Sequence, residues 1–138
     1  MYAYQAYRHH RHSGMTRIDT VLGLYDEALN RLEQAEQALH ADDAARAQVL
    51  LVHVQLAVSS LAAGMVGDAS DLCVNFLRLY EFVLHHVGEK TVDSVRIARE
   101  ILLTLREAFQ LVRSQALQLE QEGKLPPVGT DHALHVEA

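Results

Sequence analysis

Nine histidines in 138 residues are the first place to look for chemistry, because imidazole binds metals and moves protons near neutral pH. The arrangements that would do so are missing. A di-metal carboxylate bundle needs Glu-x-x-His on inward helix faces, and no glutamate precedes a histidine at that spacing. Glu36/His40 and Glu81/His85 stand four apart, the spacing of surface pairs along one helix. His9, His10 and His12 have the right atoms for a metal, but nothing in the sequence pre-organises them. Cys73 is the only cysteine. That rules out an intrachain disulfide and a paired-cysteine metal site, and it points to a reducing compartment. An arginine followed by histidine at a helical-nuclease spacing occurs twice, at Arg78/His85 and Arg46/His53. Two such pairs in so short a chain show how readily the pattern arises by chance. A Ser/His/Asp site would need a glycine elbow, and a nucleotide site a phosphate-cradling glycine loop; neither is present. The reading is of a protein without catalytic residues, cofactor or metal.

The chain is acidic, with a net charge of −6, which disfavours nucleic acid as a partner. Residues 1–17 carry Arg8, Arg11 and Arg17 and no acid, leaving −9 on the remaining 121 residues. The start of the chain lacks the apolar segment of a cleaved leader, so a cytoplasmic location is expected.

What the sequence has in surplus is apolar surface. Ala47 through Gly67 is a run of 21 residues without a formal charge. Such a run can span a membrane, be buried on every side, or present one face to its own core and another to a partner. Gln48, His53, Gln55, Ser59 and Ser60 would all have to enter the bilayer, which argues against membrane insertion.

The elements that hold this surface are helices. Both prolines, Pro126 and Pro127, follow 125 proline-free residues, and the apolar spacing is three and four throughout. The first helix carries its stripe on Ile18, Val21, Leu22, Tyr25, Ala28, Leu29, Leu32, Ala35 and Leu39. Asp42 or Asp43 caps a second helix reaching about Gly64. Asp68 or Ser70 caps a third, which Gly88 ends. Thr91 or Asp93 opens a fourth, which Gly123 stops. These elements predict an all-α fold, an antiparallel four-helix bundle of up-down-up-down topology. It occupies residues 16–123, between a tyrosine-rich arm at 1–15 and a disordered tail at 124–138.

A bundle helix needs about three apolar positions in seven, and helices two to four exceed that. In the second, Leu50, Val54, Ala57, Val58 and Leu61 make one stripe, and Val49, Val52, Leu56 and Ala63 a second. In the third, Leu72, Phe76, Tyr80, Val83 and Val87 make the core stripe. Leu79 and Phe82 project elsewhere, with Asn75 and His86 on their row. In the fourth, Ile97, Ile101, Ala108 and Leu111 add a stripe beside the core seam. The surplus has two readings: a partner site, or an asymmetric bundle with more central helices. Asn75 is read as bonding within the bundle or to a partner's backbone. Tyr25 and Tyr80 are read as core residues with satisfied hydroxyls.

Several of these motifs have a familiar order. Tyr4-Gln5-Ala6-Tyr7, followed by Leu22-Gly23-Leu24-Tyr25-Asp26-Glu27-Ala28, resembles the start of the FliS family of flagellin export chaperones. There a Tyr-x-x-Tyr arm precedes a helix with Leu-x-Leu-Tyr-Asp-x-Ala. Asn75-Phe76-Leu77-Arg78-Leu79-Tyr80-Glu81-Phe82 is similar to the family's Asn-Leu-x-x-Leu-Tyr-x-Tyr, and Leu105-Arg106-Glu107-Ala108-Phe109 to its Leu-x-x-Ala-Trp. The match covers roughly residues 4–112. Gly14-Met15-Thr16-Arg17-Ile18-Asp19 stands where the family has Thr-Ala-Ser-Pro-Glu-Glu. Ala69-Ser70-Asp71-Leu72-Cys73 replaces a Gly-Gly-Glu-Ile-Ala stretch. The chain therefore resembles a divergent member.

The resemblance implies a cytoplasmic chaperone for the disordered C-terminal segment of flagellin, held helix-in-groove and released at the flagellar export gate. The partner-binding residues it suggests are Tyr4, Tyr7, Val52, Leu56, Asn75, Leu79, Phe82 and Ile101. The protein is expected to be a monomer or weak homodimer. The rival expectation is a helical adaptor that dimerises through helices two to four without a flagellin client.

Overall fold

A computed structural model describes residues 17–65 and 70–123. Four helices follow in order: α1 (Arg17–His40), α2 (Ala44–Ala63), α3 (Asp71–Glu89) and α4 (Val92–Gln121). The described residues contain no strand. The arm expected at 1–15 and the tail expected at 124–138 lie outside the described residues.

The helix boundaries follow from side chains that satisfy orphan backbone groups. Asp43, not Asp42, caps α2, accepting from the Arg46 amide at 3.1 Å. Asp42 instead takes the left-handed conformation at φ 55° that ends α1. The amide of Asp43 donates to the carbonyl of Ala38, and that of Asp42 to Leu39, the paired bonds of a Schellman motif. Ser70 caps α3 through the Cys73 amide. At α4, Thr91 and Ser94 exchange bonds: each amide donates to the other's hydroxyl at 3.0 Å. This is a capping box with serine in place of the usual glutamate.

The expected end of α3 at Gly88 needs correction. The helix runs through it to Glu89, and the left-handed residue that turns the chain is Lys90, at φ 58°. A glycine inside a helix costs only about 1 kcal/mol. Here that is offset by the fully buried Val87 beside it and by the His86 Nδ1 to Glu89 Oε1 contact of 2.9 Å.

α1 packs on α2 and α4, and α3 packs on the same two, while α1 and α3, like α2 and α4, have no close backbone contact. Those pairs are the diagonals of a square bundle. Asp26 of α1 pairs with Arg106 of α4, and Glu36 with Arg96. The numbering rises along one helix as it falls along the other, so the two run antiparallel. Ala28, Ala35 and Ala38 on α1 and Ala47 and Ala57 on α2 are all buried. Their small side chains let that pair approach closely. Leu32, Val54, Val83, Val95 and Leu102 fill the centre without exposure.

Tyr25 and Tyr80 join the α1–α3 diagonal, their hydroxyl oxygens 2.6 Å apart and both rings buried. They are core residues with partnered hydroxyls, as their place on the stripes predicts. Burial is the first cause that pushes the Tyr25 hydroxyl far above the ordinary tyrosine range, with the Tyr80 hydrogen bond adding to it. Burial also raises Tyr80, against the opposing effect of the Tyr25 bond. Both rings are therefore neutral at any physiological pH.

Glu36 anchors the opposite side. Its Oε2 accepts from Arg96 Nε at 3.0 Å, and Arg99 Nη1 lies 3.6 Å from Oε1. Burial raises its carboxyl, but the Arg96 bond and the two arginine charges outweigh that and hold it below the ordinary 4.5. A carboxyl depressed in the folded state adds stability above the unfolded value, and that stability is lost as pH falls through the lower folded value. Glu36→Gln is therefore expected to cost less than about 1 kcal/mol at neutral pH, since the arginines are half exposed. It should also flatten the loss of stability below pH 4.5, as read by urea melts across pH.

Candidate helix-binding groove

The ion pairs fix which flank of α4 faces which neighbour. At 3.6 residues per turn, Arg99, Arg106 and Arg96 lie to one side of the buried seam Val95, Ala98, Leu102 and Leu105. That side is tied to α1. Ile97, Ile101, Ala108 and Leu111 lie on the other side, toward α3. In an antiparallel pair the shared groove sits at the same rotational sense from each helix's core face. On α3 that sense leads from Tyr80, Val83 and Val87 to the row Leu72, Asn75, Leu79, Phe82 and His86. The two surplus stripes therefore line one groove between α3 and α4.

Leu79 is 37 % exposed, Phe82 47 %, Ile97 38 % and Leu111 84 %. Ile101 is half-buried against the core and forms the floor. The antiparallel register sets Phe82 beside Ile97 and Ile101 near one end, and Leu72 beside Ala108 and Leu111 near the other. Phe82 stacks edge-on against His86, ring centroids 4.4 Å apart. That ring is itself held by Glu89, and its Nε2 is buried with no hydrogen-bond partner. Asn75 is exposed mid-row, and its side chain makes no hydrogen bond among the described residues. The reading that it bonds within the bundle is not met. An amide in the middle of an apolar row is instead available to a backbone laid along it.

Leu72 corrects another expectation. It was assigned to the core stripe and is 66 % exposed. Four residues advance a helix by more than one turn, so stepping back from Phe76 to Leu72 rotates it off the core and onto the groove flank. It also lies in the first turn of α3, at the bundle's end.

That end is open. Ile18 and Val21 of α1, Leu61 and Met65 at the end of α2, Tyr80 and Phe109 line a cavity of about 160 Å³. Its floor is aromatic. Phe109 sits 5.7 Å from Tyr25 and 5.4 Å from Phe76, and Phe76 sits 6.2 Å from Tyr80. The sequence placed these rings on core stripes but gave no sign that they meet at one mouth, because they come from three helices. Phe109 belongs to α4 and lies half a turn from Leu111, so groove and cavity adjoin.

Val52 and Leu56 stand apart from the other predicted residues. With Val49, Ser59 and Ala63 they are exposed on the face of α2 opposite its buried Leu50, Val54, Ala57, Val58 and Leu61. α2 is long and apolar enough to cross a membrane, with a mean hydropathy of 1.3, and its inner half is core. Tyr4 and Tyr7 lie outside the described residues, as do His9, His10 and His12. Among the described residues no three His, Cys, Asp or Glu side chains cluster as a metal site. Glu36 and His40 form the surface pair their spacing predicts, 3.6 Å apart.

The model of the family described as flagellar protein FliS matches residues 1–116. No curated protein matches the chain significantly. A four-helix bundle, a surplus apolar groove and a family match over most of its length lead to one assignment: the chain belongs to the FliS family of flagellar export chaperones.

Proposed function

We propose that the protein binds the disordered C-terminal segment of flagellin in the cytoplasm, blocks its premature polymerisation and delivers it to the flagellar export gate. The observation that carries this reading is the α3/α4 groove, a charge-free concave row with an unpartnered amide at its middle. An amphipathic segment can lay its apolar face on Leu79, Phe82 and Ile101 and offer a backbone group to Asn75. Ordering such a segment costs about 2–5 kcal/mol of the gross interaction, which keeps a high-contact complex releasable. No step in this role requires catalysis.

Calorimetric titration with the C-terminal segment of the organism's own flagellin tests it. One-to-one binding with a large negative heat-capacity change supports the reading; no heat and no complex on gel filtration overturns it.

Tyr4 and Tyr7 have a place in this scheme. The arm joins α1 at Arg17, next to Ile18 on the cavity wall. Ten residues span up to about 35 Å when extended, enough to bring either tyrosine over the end of the bundle. Acting as a cover that client displaces, the arm lowers apparent affinity by the fraction of time it is closed. Deleting residues 1–12 is therefore expected to tighten binding several-fold in the same titration. Unchanged or weaker binding would remove the arm from the mechanism.

A further inference from the structure

The outer face of α2 is a second apolar surface that the α3/α4 groove does not absorb. Val49 is 59 % exposed, Val52 40 % and Leu56 37 %. It is a convex ridge on a different side of the bundle, not a groove, so its natural complement is another ridge packed across it. From Val49 to Ala63 it carries no charge, although the molecule as a whole carries −6. The outward faces of the other helices hold charged groups, among them Asp26 and Glu33 on α1, Arg78 and Glu81 on α3, and Glu100 and Glu107 on α4.

Two copies of an acidic protein repel wherever like charges meet. The α2 ridge lets them touch without that cost. A two-fold contact would set two α2 dipoles head to tail, which is favourable. Small residues at the ridge ends, Ser59 and Ala63, allow the helices to cross closely.

We infer that the occupant of the α2 ridge is a second copy of this chain, packed α2 against α2 about a two-fold axis near Leu56. One helix pair buries less than the roughly 1,200–2,000 Å² of a stable interface, so the dimer is weak and concentration-dependent. It leaves the α3/α4 groove of each copy free for a client.

Sedimentation equilibrium of the full chain over a hundredfold concentration range tests this. The weight-average mass is expected to rise from the 15.4 kDa of one chain toward twice that value. Leu56→Glu, which places two carboxylates at the axis, should hold it at the single-chain mass with an unchanged circular dichroism spectrum. Leu79→Asp, in the groove, should leave the association intact. A mass that stays at one chain throughout overturns the inference. So does an association that survives Leu56→Glu, or one that Leu79→Asp abolishes. A monomer in which Leu56→Glu weakens flagellin-segment binding would assign the ridge to the client instead. Because mass is read without client, this result stands or falls apart from the chaperone reading.

Discussion

Replacing Leu79 and Phe82 together by aspartate is expected to weaken binding of the flagellin C-terminal segment by more than about 100-fold, or about 2.7 kcal/mol. Each apolar side chain buried on binding contributes about 1.5–3 kcal/mol, and the pair lies mid-groove, where an interface holds most of its energy. The new carboxylates would face Ile97 and Ile101 with no cation on the row, which adds a desolvation penalty. The free protein should not notice. Both residues are exposed in the bundle, and surface changes of this kind usually alter stability by less than about 0.5 kcal/mol. Thermal melts of the variant should therefore overlay those of the parent while the titration loses its heat. Val52→Asp serves as the control, since it changes the α2 ridge and should leave client affinity within about threefold. If the double variant binds normally, the client does not lie between α3 and α4.

The second large effect is on the fold. Tyr25→Ala is expected to cost about 3–5 kcal/mol, the usual loss for a large buried ring. That is a large share of the stability of a domain this size. The ring is fully buried and touches both Phe109 and Tyr80, so its loss opens a cavity under the end of the bundle. Milder variants separate packing from hydrogen bonding. Tyr25→Phe strands the Tyr80 hydroxyl, buried without its 2.6 Å partner, at about 1–3 kcal/mol. Tyr80→Phe does the same to Tyr25. The double variant leaves neither group stranded and should cost less than the sum of the two. Urea melts of the four proteins complete the cycle. Additive losses would mean that the two hydroxyls contribute independently and that the diagonal bond is not a unit.

The amino-acid sequence by itself determined the elements. A chain without proline for 125 residues, with apolar spacing of three and four, has no regular option but helices. The capping residues sit within a position or two of where they act: Asp43, Ser70 and Thr91 begin helices, and Gly123, at φ 77°, follows the last. Gly88 misled because a glycine signals a stop only when the backbone needs its freedom there, and the turn is made at Lys90. The core was also legible. Each helix's buried row repeats locally, so periodicity finds it, and the two stripes on α2 were separable for the same reason.

What periodicity could not supply was how the helices are rotated against one another. Val52, Leu56, Asn75, Leu79, Phe82 and Ile101 look alike in sequence: exposed-side positions on amphipathic helices. Only the tertiary structure divides them. The pairing of Arg96 and Arg99 with Glu36, and of Arg106 with Asp26, commits one flank of α4 to α1. That turns Ile97, Ile101 and Leu111 toward α3, where Leu79 and Phe82 complete a groove. The same packing leaves Val52 and Leu56 alone on the far side of α2. The aromatic mouth formed by Tyr25, Phe76, Tyr80 and Phe109 is likewise a product of tertiary packing. Its members lie up to 84 residues apart, and no local pattern reports which rings will meet. A helix's period fixes which side chains share a face; which face meets which is set by long-range contacts that close only when the bundle does.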